Sequence, residues 1–306
     1  MSTLDNYTSA TRPAASSNSG LCIFNTDTKA IEVSDGSNWL DYTYDFIALY
    51  PYLIDAVSSS SESAYSLRQL SSSATNCIRV RRSSDDTEQD IGFSSNALDT
   101  SSLTNFVGAN DGFITKWYDQ SGNSVDAAQT TAANQPKIVS SGSVITEGGK
   151  PAISFDGSDD YLALSSTLSL STLHSIFAVA QTNDPTAVLI GSTSPNSNFN
   201  TNSSTTYTYN AGSAWITGSS STLGHQAVSI IRNAGTVTIY KNGSSFATNN
   251  AFSTTAAFTV KEIGRRANIP SIPWDGTIQE LIFYTSDETS ILTDIDTDIN
   301  NFYSIY

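Results

Sequence analysis

The 306-residue sequence carries little charge, and most of it is of one sign. Charged residues make up 14% of the chain, with 14 Lys and Arg against 29 Asp and Glu, a net charge of −15. A protein that tracks a phosphate backbone needs the opposite sign or a dense basic patch. The one cluster of three bases is Arg79, Arg81 and Arg82, so no nucleic-acid partner is expected. There are two Cys and two His. Cys22, Cys77, His174 and His225 lack metal-ligand spacing, and the cysteines are expected as two buried free thiols. A single Met leaves no adaptable Met-rich surface. No run approaches the ~20 apolar residues of a membrane span, so membrane insertion is not expected. The N-terminus has neither a basic nor an apolar leader region, which predicts synthesis in a cytoplasm with no signal peptide. No Ser/His/Asp spacing, phosphate-cradling Gly loop or nucleotide fingerprint is present.

What is present is aromatic mass and short β-prone runs. Thirteen Phe, 14 Tyr and 4 Trp suffice for a packed core. The first 20 residues are polar and read as an extended arm. Leu21-Cys22-Ile23-Phe24 and Ala30-Ile31-Glu32-Val33 flank an Asn/Asp turn, and a Gly turn then leads to Trp39, giving a hairpin or small meander. Such a unit cannot bury enough surface alone and is expected to pack on something else. Residues 1–41 are therefore assigned to an attachment arm and 42–306 to the main domain. Phe46, Leu49, Leu53, Ile54, Val57, Leu67 and Leu70 recur at helical steps, interrupted by Pro51 and a serine run. Beyond them, strands at turn spacing to about residue 285 favour a mainly β sandwich with a few short helices. The clearest hairpin joins Ala227–Arg232 to Thr236–Lys241, followed by an Asn242-Gly243 turn. Leu292, Ile295, Ile299 and Phe302 share one face of a closing helix.

Several blocks carry a resemblance. Ala64–Arg68, Ile78–Asp86, Gln89–Phe93, Trp117-Tyr118-Asp119-Gln120-Ser121-Gly122-Asn123 and Gln135–Ile138 together resemble the catalytic domain of family 54 α-L-arabinofuranosidases (arabinofuranosidase B). The resemblance runs from about residue 44 to 306 and implies a concanavalin- or laminin-G-like jelly roll. Phe155–Leu162 resembles a motif of lectin-like sandwiches. Similar blocks occur in tailed-bacteriophage structural proteins, where they follow a segment similar to Gly20–Lys29 with Asp35–Trp39 after it.

A retaining glycosidase of that family needs two carboxyl groups about 5 Å apart. The stretch matching the family's nucleophile strand, residues 200–212, contains no carboxylate, and Arg stands where the acid is expected, at Ile263–Asn268. The family's vicinal cysteine pair is also missing. The resemblance thus implies the fold without the catalytic residues, and the chain is expected not to be an enzyme. Segments similar to the family's cleft carry Tyr207, Tyr209, Trp215, Arg265, Arg266 and Trp274, the candidate glycan-binding residues, against the plainer reading of Trp215 and Trp274 as packing residues. Asp156, Asp159 and Asp160 read as turn caps or, less favoured, as a Ca²⁺ site. Asp85, Asp86, Glu88 and Asp90 read as partners of the three arginines. Asp119–Asn123 reads as a turn held by Asx-type bonds, and His225 as a satisfied hydrogen-bonding residue. The resulting expectation is a virion structural protein, a fibre or a capsid or tail appendage. It attaches to other virion proteins through Phe24, Asn25, Asp27 and Trp39, assembles as a homo-oligomer (a trimer by analogy with fibres), and presents a lectin-like domain to host surface glycan. The rival expectations are a free carbohydrate-binding module and a working α-L-arabinofuranosidase.

Overall fold

The computed structural model describes residues 5–19, 21–27, 30–34, 36–42, 52–57, 59–182, 184–192, 197–202, 206–212, 214–218, 223–266 and 272–306. The chain divides into two compact units, Met1–Pro51 and Tyr52–Tyr306.

The first unit is a four-stranded sheet of β1 (Asp5–Tyr7), β2 (Cys22–Asn25), β3 (Ala30–Ser34) and β4 (Trp39–Tyr42), in that spatial order. The expected hairpin is β2–β3, β4 extends it, and β1 joins β2 in parallel. The extended arm foreseen over the first 20 residues is corrected: the chain turns at Thr8–Arg12 and makes a 3₁₀ turn over Ala15–Ser17. Polar contacts fold it back. Arg12 reaches the buried Glu32 at 2.5 Å, and the Pro13 carbonyl accepts the Trp39 indole N–H at 2.8 Å. Asn25 is buried, donating to Ser9 Oγ and Glu32 Oε1, while Asp27 is exposed and accepts from Ser9 N. Both cysteines are free, but Cys22 is exposed, so only Cys77 is the buried thiol expected.

The second unit is the mainly β sandwich that the strand spacing predicted. Its first strands are β5 (Ser61–Ser66), β6 (Asn76–Arg82), β7 (Glu88–Ser94), β8 (Ala97–Leu98), β9 (Gly112–Trp117), β10 (Ala127–Ala128), β11 (Lys137–Ser140), β12 (Ser143–Val144), β13 (Thr146–Glu147), β14 (Lys150–Pro151) and β15 (Ile153–Asp156). Then come β16 (Leu162–Leu170), β17 (Leu173–Thr182), β18 (Val188–Gly191), β19 (Ser197–Asn202), β20 (Thr206–Ala211) and β21 (Ala214–Thr217). The last are β22 (Gly224–Asn233), β23 (Thr236–Lys241), β24 (Ser244–Asn249), β25 (Phe258–Ile263) and β26 (Asp275–Tyr284). One layer runs β5-β26-β17-β22-β23-β24. The other runs β7-β6-β9-β10-β16-β25-β18-β19-β20-β21. All these pairings are antiparallel, and β11 and β15 link the layers at one side. The β23–β24 turn falls where Asn242-Gly243 demanded it, with both residues at positive φ (49° and 72°).

Strand alternation sends one set of side chains between the layers and the other outward. Ile176, Ala178 and Ala180 of β17 join Ile278, Leu281 and Phe283 of β26 in the inter-sheet core with Phe199, Tyr209 and Phe258. The alternate residues Phe177, Val179, Ile282 and Tyr284 face outward into a second apolar cluster under α3 (Leu292–Tyr303). That is the expected closing helix, and it buries Leu292, Ile295, Ile299 and Tyr303. The helix foreseen from Phe46 to Leu70 is corrected. Phe46 and Leu49 lie outside the described residues, α1 (Leu53–Ala56) is a single turn, and Ser61–Ser66 is strand β5 on the edge of β26. Tertiary pairing overrides the local period there: the Gln120 carboxamide takes the Leu70 N–H, which a helix would have used internally.

Candidate functional site

The registers of the ten-stranded layer align a single row of residues across its outward face. Asp90 opposes Arg79, Arg79 opposes Lys116, Lys116 opposes Ala128, and Ala128 opposes Ala163. Ala163 opposes Glu262, Glu262 opposes Gly191, Gly191 opposes Asn198, Asn198 opposes Asn210, and Asn210 opposes Trp215. Directly paired residues share a face. Their neighbours Phe199, Tyr209, Ile216 and Ile263 point the other way, into the core.

The Trp215 half of this row has the chemistry of sugar recognition. Trp215 is 63% exposed, the largest exposure of any large apolar residue described. Beside it the Asn210 side-chain oxygen is buried and has no hydrogen-bond partner among the described residues. Asn198 donates to Asn200 Oδ1 at 2.6 Å and accepts from Arg266 Nη1 at 3.1 Å, and Thr208 and Thr217 share a hydroxyl bond at 3.0 Å. An exposed ring flanked by amides, hydroxyls and a guanidinium can stack on a sugar face and bond its hydroxyls.

The backbone of Arg265 and Arg266 crosses this face over Gly191. A Cβ on Gly191 would lie 2.9 Å from the Arg265 carbonyl oxygen and 3.0 Å from the Arg266 Cα, so the close approach requires glycine. Arg265 clamps Glu262 through Nε and Nη2, at 2.9 and 3.0 Å, and its guanidinium lies 3.3 Å from the centre of the Tyr161 ring. The stacking and the bidentate pair fix Glu262, a carboxylate, in the middle of the row.

Of the six candidate glycan residues, Trp215, Arg265 and Arg266 lie on this face. Tyr207, Tyr209 and Trp274 do not, and their assignment is corrected. Each is at most 1% exposed. Tyr207 stacks on Phe199 and Tyr209 on Phe258 inside the sandwich, and Tyr209 shares a 2.8 Å bond with Nε2 of the buried His174. Burial holds that imidazole near pKa 4, hence neutral. Glu262, Asn198 and Asn210 went unnoticed in the sequence. The signal was the alternation in Asn198-Phe199-Asn200-Thr201 and Tyr207-Thr208-Tyr209-Asn210, where one face is aromatic and the other amide-rich, so the aromatics were the inward set.

The other motifs resolve into structural roles. Asp119 accepts the N–H groups of Ala64, Ser121 and Val125, Gln120 spans Leu70, Ser66 and Arg68, and Asn123 donates to the Ser61 and Glu62 carbonyls. The turn therefore staples β5 to the β9 side. Arg79, Arg81 and Arg82 pair with Asp90, Asp86 and Asp85 as expected. His225 Nε2 bonds Gln279 Oε1 at 2.7 Å. Asp156, Asp159 and Asp160 bring ligand oxygens within 4.8 Å of one another. Asp156 also caps its own turn through Ser158 N, and burial together with the Asp156 charge pushes Asp160 up to about 7.

No family model matches the sequence, and no curated protein matches it. Solved structures do. An arabinofuranosidase complexed with arabinofuranosyl-α-1,2-xylobiose is similar at 18% identity and a TM-score of 0.61, covering 80% of this chain and 63% of that one. A GH54 α-L-arabinofuranosidase soaked with a cyclic sulfate inhibitor is similar at 16% identity and a TM-score of 0.59, covering 80% and 64%. This chain thus spans just under two thirds of the length of those proteins. The likeness is one of fold, and it bears out the resemblance to family 54 arabinofuranosidases at that level. It also corrects the expectation of a non-enzyme, because the proteins whose fold the chain shares are enzymes.

Proposed function

We propose that the chain is a carbohydrate-active protein that takes arabinofuranosyl-bearing glycan on the outward face of its ten-stranded layer. The observation that carries this reading is the row from Trp215 through Asn210 and Asn198 to Glu262, which joins a stacking platform to hydroxyl-bonding groups and a fixed carboxylate. The likeness to arabinofuranosidases supports the choice of sugar. Hydrolysis needs an ionised carboxylate and a second carboxyl group that carries a proton. Glu262, clamped by Arg265 in the middle of the row, is the candidate for one of the two. Asp160, next in the chain to the Tyr161 that stacks on Arg265 and pushed up to about 7 by burial and the Asp156 charge, is the candidate for the proton carrier. The test is release of nitrophenol from 4-nitrophenyl α-L-arabinofuranoside, and of arabinose from arabinoxylo-oligosaccharides, by the wild type and by Glu262→Gln and Asp160→Asn. Turnover lost in both variants supports the assignment. Turnover that survives both places the chemistry elsewhere, and absence of turnover with intact glycan binding reduces the function to recognition.

A second reading concerns the N-terminal unit, for which we propose attachment to a bacteriophage particle. On this reading the sandwich is displayed on the outer surface of the virion, in a fibre or in a capsid or tail appendage, and the unit packs in a homo-oligomer, a trimer by analogy with fibres. The favouring observation is that this compact unit buries Ile23 and Ala15 as its apolar residues, beside Asn25, Glu32 and Ser34, among the residues described. A four-stranded sheet of this size predicts support from a partner. Density-gradient sedimentation of a lysate of the source tests it: the polypeptide bands with particles at a fixed ratio to the major capsid protein, or it stays soluble and the reading fails.

A further inference from the structure

The second unit also holds a groove of about 560 Å³ that shares no residue with the row just described. It opens between the β7–β8 turn, the first turn of α2 (Thr100–Val107) and the segment 144–151. Ala97, Leu98, Val144 and Pro151 give it a small apolar lining, and its polar lining includes Ser94, Asp99, Thr100, Ser101 and Thr146. Ser94, Thr100, Ser101 and Thr146 line this one concavity, and among the described residues their hydroxyls have no hydrogen-bond partner, which leaves them open to a ligand in place of water. Gly149 lines the groove at φ +76°, and a Cβ there would meet nothing within 4 Å.

The lining decides the class of ligand. No Lys or Arg contributes, so nothing offsets the charge of a phosphate, sulfate or uronate. No aromatic ring contributes, and four small apolar side chains are too few for a lipid or a nucleobase. Asp99 is the one charged group, and it already carries two hydrogen bonds. Its oxygens accept from Ser102 Oγ at 2.6 Å and Ser102 N at 3.0 Å, and these bonds lower its pKa. A single carboxylate with no second acid and no ring beside it is a weak anchor for an amine, while its remaining lone pairs can accept neutral O–H groups. The volume lies within the range of small-molecule sites.

We propose that this groove binds a neutral polyhydroxylated molecule, a mono- or disaccharide, at a site separate from the Trp215 face. The inference does not depend on the function proposed for that face. The test is amide NMR of the full chain titrated in parallel with L-arabinose, D-xylose, D-galactose, inorganic sulfate and spermidine. Saturable shifts at Ala97, Thr100, Ser101 and Gly149 are expected with at least one sugar and with neither ion. Asp99→Asn keeps an N-cap residue and is expected to weaken that sugar by about tenfold, roughly the worth of a hydrogen bond to a charged acceptor. Thr146→Trp fills the groove and is expected to abolish the shifts, while Trp215→Ala leaves them unchanged. Shifts absent with all three sugars, shifts that survive Thr146→Trp, or equal shifts with sulfate or spermidine would overturn the proposal.

Discussion

The sandwich has two outward faces, made by the same strand alternation and opposite in chemistry. On the six-stranded layer the outward residues are Phe177, Val179, Ile231, Ile282 and Tyr284, and α3 covers them. On the ten-stranded layer they are Glu262, Asn198, Asn210, Thr208 and Trp215, with a crossing of two arginines above Gly191. Even the charges differ in kind. Under α3, Arg68 is enclosed by Glu280 at 2.7 and 2.9 Å and Asp298 at 2.6 Å, with Phe302 and Tyr303 against the guanidinium, and the Glu280 charge drives its pKa up against the effect of burial. On the other face Arg265 and Arg266 reach a carboxylate and an amide along a row that ends in an exposed indole. A buried ion pair between sheet and helix fixes packing. A partly exposed row of amides, guanidinia and one ring is the kind of surface that meets a ligand.

This contrast can be broken at either face. The largest effect is expected from Arg68→Met, which leaves Glu280 and Asp298 buried without their cation. A loss of about 3–5 kcal/mol in urea unfolding is expected, against less than about 1 kcal/mol for Thr217→Val on the other face. Next comes Ile299→Ala in α3, a fully buried side chain, with about 2–5 kcal/mol lost by the same measurement and no change in glycan binding.

A graded effect follows from pH. Burial, with the Asp156 charge, raises Asp160 to about 7, and burial raises Asp296 to about 6 against the bond it accepts from Ser229. Both folded values exceed the ordinary 3.8, so their contribution is complete below about pH 4 and is lost as pH rises through 6 and 7. The urea midpoint is therefore expected to be higher at pH 5 than at pH 8. Asp160→Asn should flatten the upper part of that slope and Asp296→Asn the lower. The smallest effect on stability is expected from Trp215→Ala, within about 0.5 kcal/mol, because so exposed a ring contributes little to the core.

The strands, the Asn242-Gly243 turn and α3 were legible because each rests on a local rule of alternation, turn chemistry or helical period. Residues 5–19 and the stretch up to Leu70 were misread for a related reason. Their groups are taken by partners far along the chain: in one case Glu32 pairs with the Arg12 guanidinium and the Trp39 indole donates to the Pro13 carbonyl, and in the other Gln120 accepts the Leu70 N–H. Half of the candidate face was found from Trp215 and the two arginines. The other half was hidden, since Glu262, Asn198 and Asn210 come together only through the register of four strands, and register is not written in any one segment. Tyr207, Tyr209 and Trp274 misled because an aromatic in a cleft-like segment carries no sign of which way it faces, unless the alternation of its own strand is followed.

The central proposal is that the Trp215 face meets glycan while the α3 face holds the fold. Its most direct test is a fluorescence titration of the wild type and of Trp215→Ala with arabinoxylo-oligosaccharides, alongside thermal unfolding of both. The account predicts a saturable change in tryptophan emission in the wild type, its loss in the variant, and melting temperatures that agree within about 2 °C. A wild type that does not respond, or a variant that binds as well as the wild type, would contradict it.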